Sequence, residues 1–234
     1  MSESSKLNAS MTQEEREEAK AMTDYLIGDE ETSREDIIGR FSQNSQQYEK
    51  AMKGINFKCP MQTAQTAAEL FPGERKDVYV LDVAAGTGLC ADELYHHGFR
   101  TMDALDPSSK MLEEAKKKGL YGRYFIEVLG ENAIDIENDT YDAVTISGLS
   151  LMVLKKMPLK AMEELIRIVK PGGYIINTAF YNLFPDDGDV KAVIFRENMK
   201  TLESQGKWKQ VELRRFPEVI LGNEVAVSIH KVLV

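Results

Sequence analysis

Leu81-Asp82-Val83-Ala84-Ala85-Gly86-Thr87-Gly88-Leu89 is the stretch whose reading decides the fold. The apolar run Val78–Val83 leads into it and reads as a buried parallel strand. Gly86 and Gly88 lack Cβ, so the chain turns sharply there and a ligand can approach the main chain. Leu89–His97 continues as a helix whose first turn offers unpaired N–H groups and a partial positive charge.

The alternation extends outward from this turn. Further strands are predicted at Thr101–Asp106, Tyr124–Leu129, Tyr141–Ser147 and Tyr174–Ala179, and helices at Ser109–Lys118, Leu159–Val169 and Asp189–Gln205. Lys170-Pro171-Gly172-Gly173 reads as a turn into the fifth strand. Lys209–Pro217 and Glu224–Val234, joined at Gly222-Asn223, read as an antiparallel pair. The pattern predicts a doubly wound α/β fold: a seven-stranded, mostly parallel sheet with the last strand antiparallel. Residues 76–234 form this domain. Residues 12–75 are predicted as an N-terminal helical cap and residues 1–11 as a disordered tail. In the cap, Thr12–Asp29 reads as one helix. Ser33 starts a second, with Asp36 at capping-box spacing, carrying Ile37, Ile38, Phe41 and Tyr48. Pro60 opens a third, which runs to Leu70.

The 234 residues carry 29 Lys and Arg against 38 Asp and Glu, a formal net charge of −9. Such a chain is repelled by a phosphate backbone, which argues against nucleic acid as a partner. No apolar run reaches the roughly 18 residues of a membrane span, and the N-terminus has no signal-peptide core. The expectation is a cytoplasmic protein with no membrane partner. Cys59 and Cys90 lack metal-ligand spacing and are expected to be reduced thiols, so no metal is expected. His96, His97 and His230 are read as structural.

Two nucleotide readings compete for the glycine turn. Gly86-Thr87-Gly88-Leu89-Cys90-Ala91 fits the dinucleotide fingerprint with Ala in last place, and Asp106 follows at about the expected interval. Against an NAD(P) oxidoreductase stands Asp82, an acid before the glycines, which suits the ammonium of an amino-acid cofactor and is of no use to a pyrophosphate. The late first strand, behind a helical cap, and the C-terminal strand pair point the same way. In either reading Asp106 can accept both ribose hydroxyls of an adenosine, while Pro107 packs on adenine and Ser108 caps the next helix. Glu131 and Asn132, in the loop after the third strand, are candidates for the adenine edge. Ser147 ends the fourth strand at the open end of the sheet. The motifs for amino methylation of bases (Asn-Pro-Pro-Tyr, Asp-Pro-Pro-Tyr) are absent from the fourth strand. A Pro-Cys nucleophile is absent too, and no general base stands out, so the catalytic residues are unassigned.

Taken in order, Leu81–Leu89, Leu105–Leu112, Gly130–Asn132, Tyr141-Asp142 and Val169–Gly173 resemble the class I S-adenosylmethionine-dependent methyltransferases over about residues 78–180. Tyr48, Phe57-Lys58-Cys59-Pro60, Asp106-Pro107-Ser108 and Lys118-Gly119-Leu120-Tyr121 are similar to the methyltransferase-like family of the Williams–Beuren syndrome chromosome region. The resemblance implies S-adenosylmethionine as cofactor, held by Asp82, Ala84, Ala85, Gly86, Gly88 and the residues named above. It also implies a cap in which Tyr48 and Lys58 face the cofactor carboxylate or the acceptor. The implied reaction is methyl transfer to oxygen or nitrogen of a small molecule, or, as an alternative, cofactor binding without catalysis. Two positions depart from the pattern: Ala84 stands where a glycine is usual, and Glu131 where an Asp is usual.

Overall fold

The computed structural model describes residues 11–131, 133–149, 151–155, 157–221 and 223–234. Seven strands form one sheet in the order β3-β2-β1-β4-β5-β7-β6. They are β1 (Tyr79–Val83), β2 (Thr101–Leu105), β3 (Tyr124–Phe125), β4 (Tyr141–Ser147), β5 (Val169–Phe180), β6 (Trp208–Ile220) and β7 (Asn223–Val232). The first five pair in parallel, and β7 runs antiparallel to both β5 and β6. This is the doubly wound sheet that the strand–helix alternation predicts.

Both faces of the sheet are covered, so both faces of the central strands carry buried apolar residues. Val80 and Leu81 are neighbours in β1, yet they belong to different apolar clusters, as alternation across a pleated strand requires. One face packs α4 (Cys59–Leu70), α5 (Leu89–His96) and α6 (Ser109–Lys116) through Ala64, Ala67, Ala91, Leu94 and Leu112. The other packs α8 (Leu159–Ile168) and α9 (Val193–Ser204) through Ala161, Met162, Leu165, Ile168, Phe195 and Leu202. The buried residues of α8 recur at helical spacing and so form a single stripe toward the sheet.

Several elements differ from their predicted forms. The third strand keeps only two residues, because β2 offers pairing partners only at Ala104 and Leu105. Residues 126–128 then leave the sheet. The Lys170–Gly173 turn is a bulge within β5: Tyr141 pairs with Val169 and Ala143 with Tyr174, and the residues between swing out. A short helix not expected from the sequence, α7 (Leu151–Lys155), follows β4.

The cap consists of α1 (Gln13–Ile27), α2 (Arg34–Gln43) and α3 (Ser45–Gly54). Thr12 and Glu15 form a capping box on α1. Ser33 Oγ accepts from Asp36 N at 3.0 Å to start α2. The predicted single helix through Tyr48 breaks at Asn44, whose side-chain amide donates to Arg40 O at 2.8 Å and competes with the helical ladder. The helix opened by Pro60 was expected in the cap, but as α4 it lies against β4, β5 and β7. Among the described residues no helix is long and apolar enough to cross a membrane.

Candidate functional site

A cavity of about 380 Å³ opens at the C-terminal ends of β1, β2 and β4. That is where ligands bind in doubly wound folds, since strand order reverses there. Its floor is Val83, Ala84 and Gly86 from the first turn, Asp106, Pro107 and Ser108 from the second, and Ser147 and Gly148 from the fourth. Leu129 and Met157 close one side, and Arg34, Ile37, Phe41 and Tyr48 of the cap form the roof.

Backbone conformation shapes this floor. Gly86 and Gly88 have φ of +56° and +84°, in the left-handed region that favours glycine. A Cβ on Gly86 would lie 3.3 Å from Met111 Cε, and one on Gly88 3.3 Å from the Tyr121 ring. Ala84 also has a positive φ, +55°, so its methyl sits in the conformation that the usual glycine would adopt without strain.

Asp106 ties the two turns together. One carboxylate oxygen accepts from Gly86 N at 2.9 Å and the other from Ser108 N at 2.8 Å. Each oxygen keeps acceptor capacity toward the cavity. Burial pushes its pKa up to about 6, against the pull of the two backbone N–H donors. Ser108 Oγ caps α6 at Met111 N and lies 2.7 Å from Ser42 Oγ of the cap. Ser147 Oγ, from a residue of the cavity floor, and Thr87 Oγ1, from a residue outside the wall, are buried with no hydrogen-bond partner among the described residues.

The structure does not bring every candidate to the cavity. Asp82 is 1 % exposed and absent from the wall. Its carboxylate accepts from Tyr121 OH at 2.6 Å and Thr145 Oγ1 at 2.9 Å, and burial raises its pKa to about 6. It braces the first turn from behind. Ala85 and Gly88 also lie behind the wall: Gly88 N donates to Ala85 O at 2.9 Å to close the turn. Glu131 is exposed and ion-paired with Arg34 of the cap, so Glu127, Val128 and Leu129 line the cavity in its place. Lys58 precedes α4 and does not line the cavity, whereas Tyr48 does. Asn132 lies outside the described residues. The sequence reading missed Arg34, Leu129 and Met157. Their side chains reach the cavity only through packing of the cap and α8, which leaves no local signature.

The strand order, the reversed β7 and the cavity over the first two strand ends together form the architecture found in class I S-adenosylmethionine-dependent methyltransferases. The comparisons agree. Residues 80–173 match a family described as the methyltransferase domain. The human methyltransferase-like protein 27 is 33% identical over 135 residues, covering 58% of this chain and 54% of that protein. A demethylmenaquinone methyltransferase of Clavibacter sepedonicus is 40% identical over 111 residues, covering 46% of this chain and 42% of that protein. The chain thus spans about half the length of the curated relatives it matches. In fold, a S-adenosylmethionine-dependent methyltransferase from Leishmania major superposes with a TM-score of 0.62 at 18% identity, over 93% of this chain and 91% of that one. Residues 80–173 are thus similar to the methyltransferase domain, and the Leishmania major protein that shares the fold is S-adenosylmethionine-dependent.

Proposed function

We propose that the protein transfers the methyl group of S-adenosylmethionine to an oxygen or nitrogen of a small-molecule acceptor in the cytoplasm. One observation carries this reading: a cavity of cofactor size, floored by the glycine turn and Asp106 and roofed by Phe41 and Tyr48. When bound, the cofactor supplies an electrophilic methyl on a sulfonium. Asp106 holds the ribose hydroxyls, Pro107 and Leu129 flank the adenine, and Ser147 takes a polar group of the methionine part. The roof excludes water and fixes the acceptor in line, so positioning provides most of the rate. Bound there, the cofactor would supply its methyl group to a lone pair of the acceptor with the sulfur as leaving group, and the acceptor's proton would pass to solvent when the roof opens. The roofed cavity and the net charge of −9 favour a small molecule over a nucleic acid. Two free, buried cysteines suit a reducing compartment. The test is a thermal melt with S-adenosylhomocysteine beside NADH, followed by labelled-methyl transfer into a metabolite extract. S-adenosylhomocysteine raises Tm, because a ligand selective for the native state stabilises it. A shift with NADH alone overturns the reading.

A further inference from the structure

We propose that a second, smaller chamber beside the cofactor cavity seats the body of the acceptor, and that the acceptor is a compact, uncharged, apolar molecule of single-ring size. The inference rests on the methyltransferase reading and adds to it the chemical class of the substrate. The chamber has a volume of about 60 Å³ and shares Phe41, Tyr48, Gly148 and Leu149 with the larger cavity. Anything held there therefore borders the cofactor across Tyr48. At roughly 10–15 Å³ of such volume per water, it takes the space of about four to six waters. That suits one ring and excludes an extended chain.

The wall sets the chemistry. Leu26, Ile27 and Met52 come from the cap, Phe180 from the end of β5, and Ile220 and Leu221 from the β6–β7 turn. Among the described residues no charged side chain lines it. The Thr23 hydroxyl is engaged with Ala19 O at 2.8 Å. Burial holds the Tyr48 hydroxyl and the Cys59 thiol above their ordinary pKa values, so both stay neutral. An acceptor carboxylate or ammonium would lose its hydration there without gaining a partner, a cost that the chamber does not offset.

Leu221 is an independent pointer. It sits at the hairpin tip with φ +52°, where Asn or Gly would serve without strain. A bulky residue in that conformation persists where its surroundings hold it, and such positions gather at ligand clamps. Here the strained residue supplies part of the apolar wall.

Calorimetric titration of p-cresol into the full chain, with and without S-adenosylhomocysteine, reads the chamber directly. Wild-type protein binds p-cresol. Leu221→Gly, which relieves the strained φ and so folds, binds it about tenfold more weakly, the scale of methylenes lost from an apolar pocket. Leu221→Asn, a second residue that tolerates this φ, has the same effect. S-adenosylhomocysteine affinity stays within about twofold in both, because Leu221 lines the chamber and not the cofactor cavity. With labelled cofactor, uncharged phenols and anilines are methylated in preference to amino acids and hydroxy acids of equal size. Turnover confined to charged acceptors, or p-cresol binding unchanged in both variants, overturns the chamber assignment and leaves the methyltransferase reading intact. Failure to bind S-adenosylhomocysteine overturns that reading instead, and the p-cresol titration without cofactor still decides the chamber.

Discussion

The helices α4–α6 pack in the domain, whereas α1–α3 pack on one another and on α6, and the two sets are held in different ways. In α4, Cys59, Pro60, Ala64, Ala67 and Ala68 are buried, and Thr63 and Thr178, both fully buried, share a hydrogen bond of 2.6 Å. In α2 only Ile37 is buried. The polar contacts of the cap with the domain include Arg34–Glu131, Ser42–Ser108 at 2.7 Å, Glu49–Lys118 at 2.8 Å and Glu30–Lys191 at 3.2 Å. Its apolar residues Leu26 and Met52 face Phe180 and Ile220 across the smaller chamber. Buried apolar area contributes about 25 cal/mol per Å² whatever the salt, whereas an exposed ion pair contributes about 0–1 kcal/mol and is screened. Helix α4 is held by buried apolar contacts, whereas α2 and α3 are tied to the loops after β2 and β3 and to Lys118 after α6 by polar contacts, some of which salt weakens.

Hydrogen exchange is the sharpest way to break this contrast. Amides of α1–α3 exchange orders of magnitude faster than those of α4–α6, and S-adenosylhomocysteine protects Phe41–Pro60 more than β6 and β7. Equal protection in both layers removes the idea of a movable roof.

The next effect belongs to Asp106, where the two regions meet. Asp106→Ala weakens S-adenosylhomocysteine binding by about 2–4 kcal/mol, the scale of charge-assisted hydrogen bonds lost from a closed pocket. Glu131→Ala, which removes a side chain paired with Arg34 of the cap, costs about 1 kcal/mol or less. Calorimetry distinguishes them, and equal losses would return Glu131 to the adenine site.

Because Asp106 accepts, binding requires its ionised form. With the pKa near 6, affinity is flat above pH 7 and falls about tenfold per unit as pH drops below 6. Asp82 is raised to about the same value, so Asp106→Asn shows which acid is responsible: it flattens the profile if Asp106 is.

A smaller gain is expected from Ala84→Gly. Relieving φ +55° stabilises the turn by about 1 kcal/mol, partly offset by a freer unfolded chain, and raises cofactor affinity. A chemical melt and a titration check both. The smallest effect is Arg34→Gln. It loosens the roof by under about 1 kcal/mol, and the loss vanishes in high salt. A loss that survives high salt would mean that Arg34 contacts the ligand itself.

Sequence alone determined the sheet, the glycine turn and the acid at the second strand end. These rest on local rules: short apolar runs between turns, the need for glycine at positive φ, and carboxylates at strand ends. Local rules treat Asp82 and Asp106 alike, since both are acids at or near the end of a buried strand. Only the tertiary structure separates them. Tyr121 and Thr145, remote in sequence, take the Asp82 carboxylate, while Asp106 keeps its face to the cavity. The same holds for Glu131, drawn outward to Arg34, and for α4, which left the cap because its buried face matches the sheet. The apolar chamber was illegible for the same reason. Its wall joins Leu26, Phe180 and Leu221 from three distant parts of the chain, and only packing decides that they meet.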